Sequence, residues 1–444
     1  MLANLKTQIQ PPVGIIGLGK SGLSAKKLLS LVGYSSKEIV TFDNNPSGAS
    51  SANTPDYSCD QDFLSQSGVR SVIVSPGFPL EHTLIKSLRE QGVKITSEIN
   101  LASFFLKNEN VIGITGSLGK STTTSLIGAG LKAIDDKAFV GGNLGTPFCE
   151  YAINLVESSF KSRAQWLVLE LSSYQLENMS ELKLAIAAIT YLTPNHLERY
   201  QNLEHYYETK WSIFNHGHAQ AFLNKKGGDL FAFANKKISA INNTRAEQEI
   251  IWADPNDMKL KDFSLTEANI LGKHNQDNLA LAAHILLATG LNQNCIDAMK
   301  KFSGLSHRLE VIKKTKDILI VNDSKATTID SVMTAVNSCL EERLYQRVLL
   351  LLGGKDKQLP WLQLKSTLQN PKVKVIYFGY SGLAIKSIVD IEGPYFNTLN
   401  TLLENIETLL QPKDILLFSP GGTSHDEFKN FEERGDFFKK HFNL

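Results

Sequence analysis

The stretch 111–125, VIGITGSLGKSTTTS, constrains this chain more than any other. Val111, Ile112 and Ile114, with Gly113 as spacer, read as a buried parallel strand. The strand runs into the glycine turn Gly116-Ser117-Leu118-Gly119 and then Lys120-Ser121-Thr122, which is the order of a phosphate-binding loop. Glycines let successive backbone N–H groups point at one anion, and the helix that follows offers its positive end. Lys120 adds a mobile charge for the outer phosphates, and Ser121 or Thr122 can hold Mg²⁺. The spacing is not the strict six-residue pattern, because the position six before Lys120 is Ile114 and not glycine.

A second glycine turn lies near the N-terminus. Val13 to Gly17 reads as a short strand, followed by Gly17-Leu18-Gly19-Lys20-Ser21-Gly22 and a helical pattern from Leu23 to Leu31. A strand ending in Asp43 comes about twenty residues later, the arrangement of a dinucleotide fold. The same geometry suits any ligand with a pyrophosphate and a ribose, so the motif alone leaves NAD and a UDP-sugar both open.

With 444 residues the chain has room for about three domains of ~150 residues each. A net charge of +1 gives no general pull toward nucleic acid or acidic membrane. Cys59, Cys149, Cys295 and Cys339 form no CxxC pair, so neither a zinc site nor a disulfide framework is expected. No apolar run approaches the ~18 residues of a membrane span and no signal segment is evident, so a cytoplasmic protein without membrane insertion is expected.

The rest of the chain alternates strands and helices, with polar residues at strand ends. The segments 166–170 and 185–190 read as strands, ending in Glu170-Leu171-Ser172-Ser173-Tyr174-Gln175 and in Asn195-His196. Asn275 and Asn278 open an apolar helix. The stretch 224–248 reads as an irregular or exposed insertion. Beyond Gly304 four more strands make a third α/β domain. The expected fold class is therefore α/β with three domains: a Rossmann-like N-terminal domain (1–98), a central P-loop-type mononucleotide-binding ATPase domain (99–304) and a Rossmann-like C-terminal domain (305–444).

Taken in order, residues 116–122, Glu170 to Gln175, Asn195-His196, His274-Asn275-x-x-Asn278, His307-Arg308, Asn322 to Thr327 and Ser419 to Ser424 resemble the Mur ligases, and among them the branch that adds D-glutamate. The resemblance implies ATP-dependent amide formation between the alanyl carboxylate of UDP-N-acetylmuramoyl-L-alanine and D-glutamate through an acyl phosphate. It implies UDP-substrate contacts at Lys20, Ser21, Asp43, Asn44, Ser75, Pro76, Gly77, Asn143, Ser172 and Gln175. ATP would meet Gly116, Ser117, Leu118, Gly119, Lys120, Ser121, Thr122, Asn275, Asn278, Arg308 and Asp323, with Lys325 beside the reacting phosphate. Thr327, Lys357, Ser424 and Phe431 would recognise D-glutamate. Ser121, Glu170, His196 and an N6-carboxylated Lys210 would hold two Mg²⁺ ions, and a monomer is implied. Leu118 and Asn195 depart from the usual family residues. An NAD-dependent oxidoreductase, an ATP-gated binding module, a neighbouring Mur ligase and folylpolyglutamate synthetase are the competing readings.

Overall fold

The computed structural model describes residues 2–44, 54–195, 199–217, 220–241, 250–257, 260, 270–290 and 293–442. Three sheets organise it. The first is parallel, with β1 (Val13–Ile16), β2 (Ile39–Phe42), β3 (Ser71–Val74) and β4 (Lys94–Thr96) in the order β2-β1-β3-β4. The chain reverses its winding between β1 and β3. Open α/β sheets collect ligands at the carboxyl edge of such a point.

The second sheet is parallel throughout. It comprises β5 (Asn110–Thr115), β6 (Phe139–Gly142), β7 (Trp166–Glu170), β8 (Ile186–Ile189), β9 (Gln220–Asn224) and β10 (Ile250–Ala253), ordered β10-β9-β8-β5-β7-β6. Strand β5 is central and buried apart from its first residue, as expected of a parallel strand covered on both faces. Its register aligns Ile114 with Glu170 of β7 and with Ala188 of β8. The phosphate loop therefore leaves the sheet between the ends of two other strands.

The third sheet contains β11 (Glu310–Lys314), β12 (Ile318–Asn322), β13 (Arg347–Gly353), β14 (Val373–Phe378), β15 (Tyr395–Phe396) and β16 (Asp414–Gly421), in the order β11-β12-β16-β13-β14-β15. Only β11 runs antiparallel among these pairs. The ends of β12, β16 and β13 lie side by side.

The three sheets fall into two compact units. Residues 1–262 and 278–297 form one; 263–277 and 298–444 form the other. The first two sheets share a unit because they share a core: Val13, Leu28 and Ile73 belong to the same apolar cluster as Phe148, Leu167 and Ile189. The helix Lys20–Leu31 packs against the helix Phe148–Glu157, and Ser24 Oγ donates to Glu150 Oε1 at 2.9 Å.

One expectation needs correction. Part of the stretch read as irregular is the helix Leu230–Ile241, with Leu230, Phe233 and Ala234 buried. These residues stand at i, i+3 and i+4, so an apolar stripe was present but diluted by Asn235, Lys236 and Lys237. No described helix is long and apolar enough to cross a membrane.

Candidate active site

At the end of β5 the chain turns on Gly116 and Gly119, both at positive φ, and enters the helix Lys120–Lys132. A side chain at Gly116 would collide with Thr190 Oγ1, and one at Gly119 with Asn278 Oδ1. The loop is braced from the neighbouring strand end. Thr190 Oγ1 donates to the Leu118 carbonyl at 2.5 Å, and Ser117 N–H donates to the Tyr191 carbonyl at 2.6 Å. Ser117 Oγ donates to the Thr193 carbonyl and accepts from Thr193 N–H and from the Tyr206 hydroxyl. The N–H and the hydroxyl of Ser117 are thus engaged inside the protein, whereas Leu118 is 57% exposed. Ser121 and Thr122 are half-buried in the first helical turn.

Two lysines converge on one carbonyl. Lys120 Nζ donates to the Gly116 carbonyl at 2.9 Å, and Lys210 Nζ, from the helix Leu203–Trp211, donates to the same oxygen at 2.8 Å. Lys210 is only 2% exposed and its Nζ lies 4.7 Å from the centre of the Tyr206 ring. Burial, and then the Lys120 ammonium, push the Lys210 amine well below the ordinary lysine range, against the opposing pull of Glu170. Glu170 ends β7 and is buried. Its Oε1 accepts from Asn143 Nδ2 at 2.7 Å, while Oε2 has no hydrogen-bond partner among the described residues. A buried, unpartnered carboxylate oxygen at the strand end next to a phosphate-type loop suits a hard divalent cation, so Glu170 fits Mg²⁺. His196 and Glu198 lie outside the described residues. Among the described residues no group of three or more His, Cys, Asp or Glu is arranged to hold a metal ion.

The N-terminal turn is held differently. Gly17 has φ +86°, and a side chain at Gly22 would strike the Gly17 carbonyl, so the helix Lys20–Leu31 can sit directly over the turn. Asp43 Oδ2 accepts from Leu18 N–H at 2.8 Å, and Ser75 Oγ donates to the Gly17 carbonyl at 2.7 Å. Lys20, Asn44 and Gly77 are exposed; Ser21, Ser75 and Pro76 are half-buried. A small cleft opens beside this edge, lined among others by Ser75, Pro76, Glu98, Tyr174, Gln175 and Arg199. Gln175 forms with Ser172 a reciprocal cap on a short helix, Ser172 N–H donating to Gln175 Oε1 at 2.9 Å. Ser172 Oγ, Gln175 Oε1 and Asn143 Nδ2 thus have partners inside the protein.

The other unit gathers a second set. Asp323, just past β12, is buried; its Oδ2 accepts from Ser419 Oγ at 2.8 Å and its Oδ1 from Leu309 N–H at 3.1 Å. Burial raises its carboxyl to about 7, with those bonds and Arg308 pulling the other way. His307 and Leu309 both have positive φ, a strained presentation of the exposed Arg308 between them. Asn322 Nδ2 braces that turn through His307 Nδ1 and Glu310 Oε2, each at 3.0 Å. Lys325 Nζ stands 5.3 Å from the Phe431 ring centre. Buried Ser424 follows β16, half-buried Thr327 follows β12, and exposed Lys357 follows β13. Asn275 is buried, and its Nδ2 donates to the Leu271 carbonyl at 2.6 Å. Asn278, in the first unit, lies near the phosphate loop, its Oδ1 3.4 Å from Thr123 Oγ1.

Three residues that hold these sites together have no role assigned to them by the sequence. Arg434 is 1% exposed and donates to the Ser324 carbonyl, Ser324 Oγ and the Gly422 carbonyl, tying the turns after β12 and β16 together. Its position three residues after Phe431, on one face of the helix Phe431–His441, was the available signal. Thr190 and Arg199 are joined to their partners only by folding, and no local pattern marks them.

Comparison with known proteins gives one coherent answer. The profile described as the Mur ligase middle domain matches residues 114–286. A UDP-N-acetylmuramoylalanine–D-glutamate ligase of Prochlorococcus marinus strain MIT 9312 is 33% identical, over 96% of this chain and 95% of its own length. The ligase of the same description from Aliivibrio fischeri is 32% identical, covering 96% of both. Among solved structures, the UDP-N-acetylmuramate-alanine ligase of Thermotoga maritima matches with TM-score 0.54 at 15% identity, over 97% of this chain and 99% of its own. A UDP-N-acetylmuramoyl-L-alanyl-D-glutamate–2,6-diaminopimelate ligase matches with TM-score 0.55 at 18% identity, over 94% and 88%. These two likenesses establish a common fold. At this identity and coverage, the chain belongs to the UDP-N-acetylmuramoylalanine–D-glutamate ligases of the Mur ligase family.

Proposed function

We propose that the chain joins the alanyl carboxylate of UDP-N-acetylmuramoyl-L-alanine to the amine of D-glutamate, consuming ATP, as a step in building peptidoglycan precursors. The observation that carries this reading is the charge arrangement after β5: two lysines on the Gly116 carbonyl beside the unpartnered oxygen of buried Glu170. Such a site suits a reaction in which a polyphosphate and a carboxylate, both anionic, must be brought together.

A carboxylate is a poor acyl donor until its oxygen can leave. Attack of the alanyl carboxylate oxygen on the γ-phosphorus expels ADP and gives an acyl phosphate. The D-glutamate amine then adds to that carbonyl, and the tetrahedral intermediate collapses to the amide with loss of phosphate. Phosphoryl transfer asks chiefly for alignment and for positive charge around the spreading negative charge. Lys120 and the backbone of residues 116–122 would hold the β- and γ-phosphates. Asn275, Asn278, Arg308 and Asp323 would hold the rest of ATP, and Lys325 would face the transferred phosphate. Ser121, Glu170 and His196, with Lys210 once carboxylated, would hold Mg²⁺, two ions in all; bound there, the metal offsets charge between phosphate and carboxylate. Burial favours a neutral Lys210 amine, the form that adds CO₂ and releases a proton to become an anionic carbamate.

The segments divide the work. Residues 1–98 would take the UDP moiety through Lys20, Ser21, Asp43, Asn44 and Ser75 to Gly77, with Asn143, Ser172 and Gln175 on the side of 99–304. Residues 305–444 would take D-glutamate, where Lys357, Thr327, Ser424 and Phe431 offer one cation, two hydroxyls and an aromatic edge for its two carboxylates. ATP and a UDP-linked sugar acid place the reaction in the cytoplasm. The test is phosphate release: it should require ATP, UDP-N-acetylmuramoyl-L-alanine and D-glutamate together. Equal turnover with L-glutamate or a diamino acid would reject the substrate assignment.

A further inference from the structure

A continuous run of contacts joins the two glycine turns of the first unit, and the reaction described above makes no use of it. Ser75 Oγ is bonded to the Gly17 carbonyl, which fixes the residue before Pro76 to the N-terminal turn. The Pro76 carbonyl accepts from Arg199 Nη1 at 3.3 Å. The other arm of the guanidinium, Nη2, donates to Glu177 Oε2 at 2.8 Å, and its carbon stands 4.0 Å from the Tyr174 ring centre. Glu177 Oε1 accepts from the Tyr200 hydroxyl at 2.6 Å. Tyr200 packs on Tyr206 with ring centres 5.2 Å apart, and the Tyr206 hydroxyl donates to Ser117 Oγ in the phosphate loop.

The chemistry of each link explains its residue. Proline has no N–H, so the carbonyl is the only backbone handle by which Pro76 can be held from outside. A planar guanidinium can give one edge to a carboxylate, another to a carbonyl and its face to an aromatic ring at once; an ammonium cannot. The Arg199 side chain is only 13% exposed, so water competes weakly for these bonds. Glu177 and Tyr174 fix the guanidinium, and the guanidinium fixes Pro76.

We propose that Arg199 is a positioning residue that seats the turn 75–77 for a uridine-diphosphate-linked ligand. This rests on the assignment of that turn to the UDP-substrate. It gives Arg199 no contact with the reacting atoms; its influence passes through Pro76. A merely structural tie would lower stability without changing the affinity for one ligand selectively.

The experiment titrates UDP and a non-hydrolysable ATP analogue separately into the wild-type chain, Arg199→Ala, Arg199→Lys and Glu177→Gln, with a thermal melt of each. UDP affinity should fall about tenfold in Arg199→Ala, less in Arg199→Lys and Glu177→Gln, as for loss of one well-shielded charge-assisted hydrogen bond, while the ATP analogue binds as before. In ligation assays KM for the UDP-substrate should rise with kcat nearly unchanged. Unchanged UDP affinity in a folded Arg199→Ala, or equal losses for UDP and the ATP analogue, would overturn the proposal. If the alanine variant does not fold, the same two outcomes in Arg199→Lys decide it. Absence of UDP binding by the wild-type chain would also overturn it. Arg199-dependent UDP binding without any ligation would instead reject the proposed reaction and leave this inference standing.

Discussion

The turn after β1 and the loop after β5 are built alike and finished differently. Each follows a buried parallel strand, bends on positive-φ glycine and opens a helix. At the first, the acid at the neighbouring strand end is spent on the turn itself: Asp43 holds Leu18 N–H, and the lysine, Lys20, is exposed. At the second, the acid at the neighbouring strand end keeps an unpartnered oxygen, and two lysines stand over the loop. Under the reaction proposed above, one plan would serve as a grip for a diphosphate that stays intact and as a charged chamber for a triphosphate that is cleaved. What separates them is the placement of ionisable groups around the turn.

The sharpest way to break this contrast is Lys120→Ala. It should lower kcat about a thousandfold or more, because charge stabilisation in phosphoryl transfer is lost, and leave UDP binding at the other turn unchanged. Parallel UDP titration and single-turnover phosphate release would show it; a matching loss at both turns would mean that they are not independent. Next in size is Lys210→Ala, which should cost about a hundredfold in turnover with nucleotide binding largely kept, and added acetate should partly restore the rate by supplying the missing anion. Near-normal turnover of the variant would remove Lys210 from the chamber.

The smallest effect concerns Glu98, on the segment between the two turns. It is fully buried, accepts from Cys149 N–H through Oε1, and has no partner for Oε2 among the described residues. Burial raises its carboxyl to about 7, against the Cys149 bonds. A carboxyl raised on folding contributes stability that is fully present below its unfolded value, near 4.5, and lost as pH climbs through 7. Urea unfolding should therefore show stability falling by at most about 1.4 kcal/mol per pH unit across that window, and Glu98→Gln should flatten the slope. A slope unchanged in the variant would assign the loss to another group.

Much of the fold was legible because buried parallel strands carry continuous apolar runs: Val111 to Ile114 and Trp166 to Leu169 can be read without a partner. The phosphate loop was legible for a related reason, since glycine and lysine at fixed spacing act locally. The bracing was not. Thr190 reaches Leu118, and Arg199 reaches Pro76, across sequence separations of 72 and 123, and only the order of strands in the sheet brings them together. Asn143, Ser172 and Gln175 are expected to face substrate, and in the fold Asn143 Nδ2 also serves Glu170 while Ser172 and Gln175 cap a helix end. Their spacing could not distinguish those uses. Lys210 looks by composition like a surface lysine; its burial follows from the helix Leu203–Trp211 turning that face toward Gly116.

The bracing of the loop after β5 bears on its portability. Residues 110–132 carry every glycine and the lysine of the motif, but the hydroxyl, carbonyl and amide that give the turn its shape belong to Thr190, Tyr191 and Thr193. Transplanted alone into a foreign scaffold, the motif would arrive without its mould. The smallest cassette to carry the curvature with it is the strand pair β5 and β8 with their outgoing turns, a unit contiguous in space and divided in the gene.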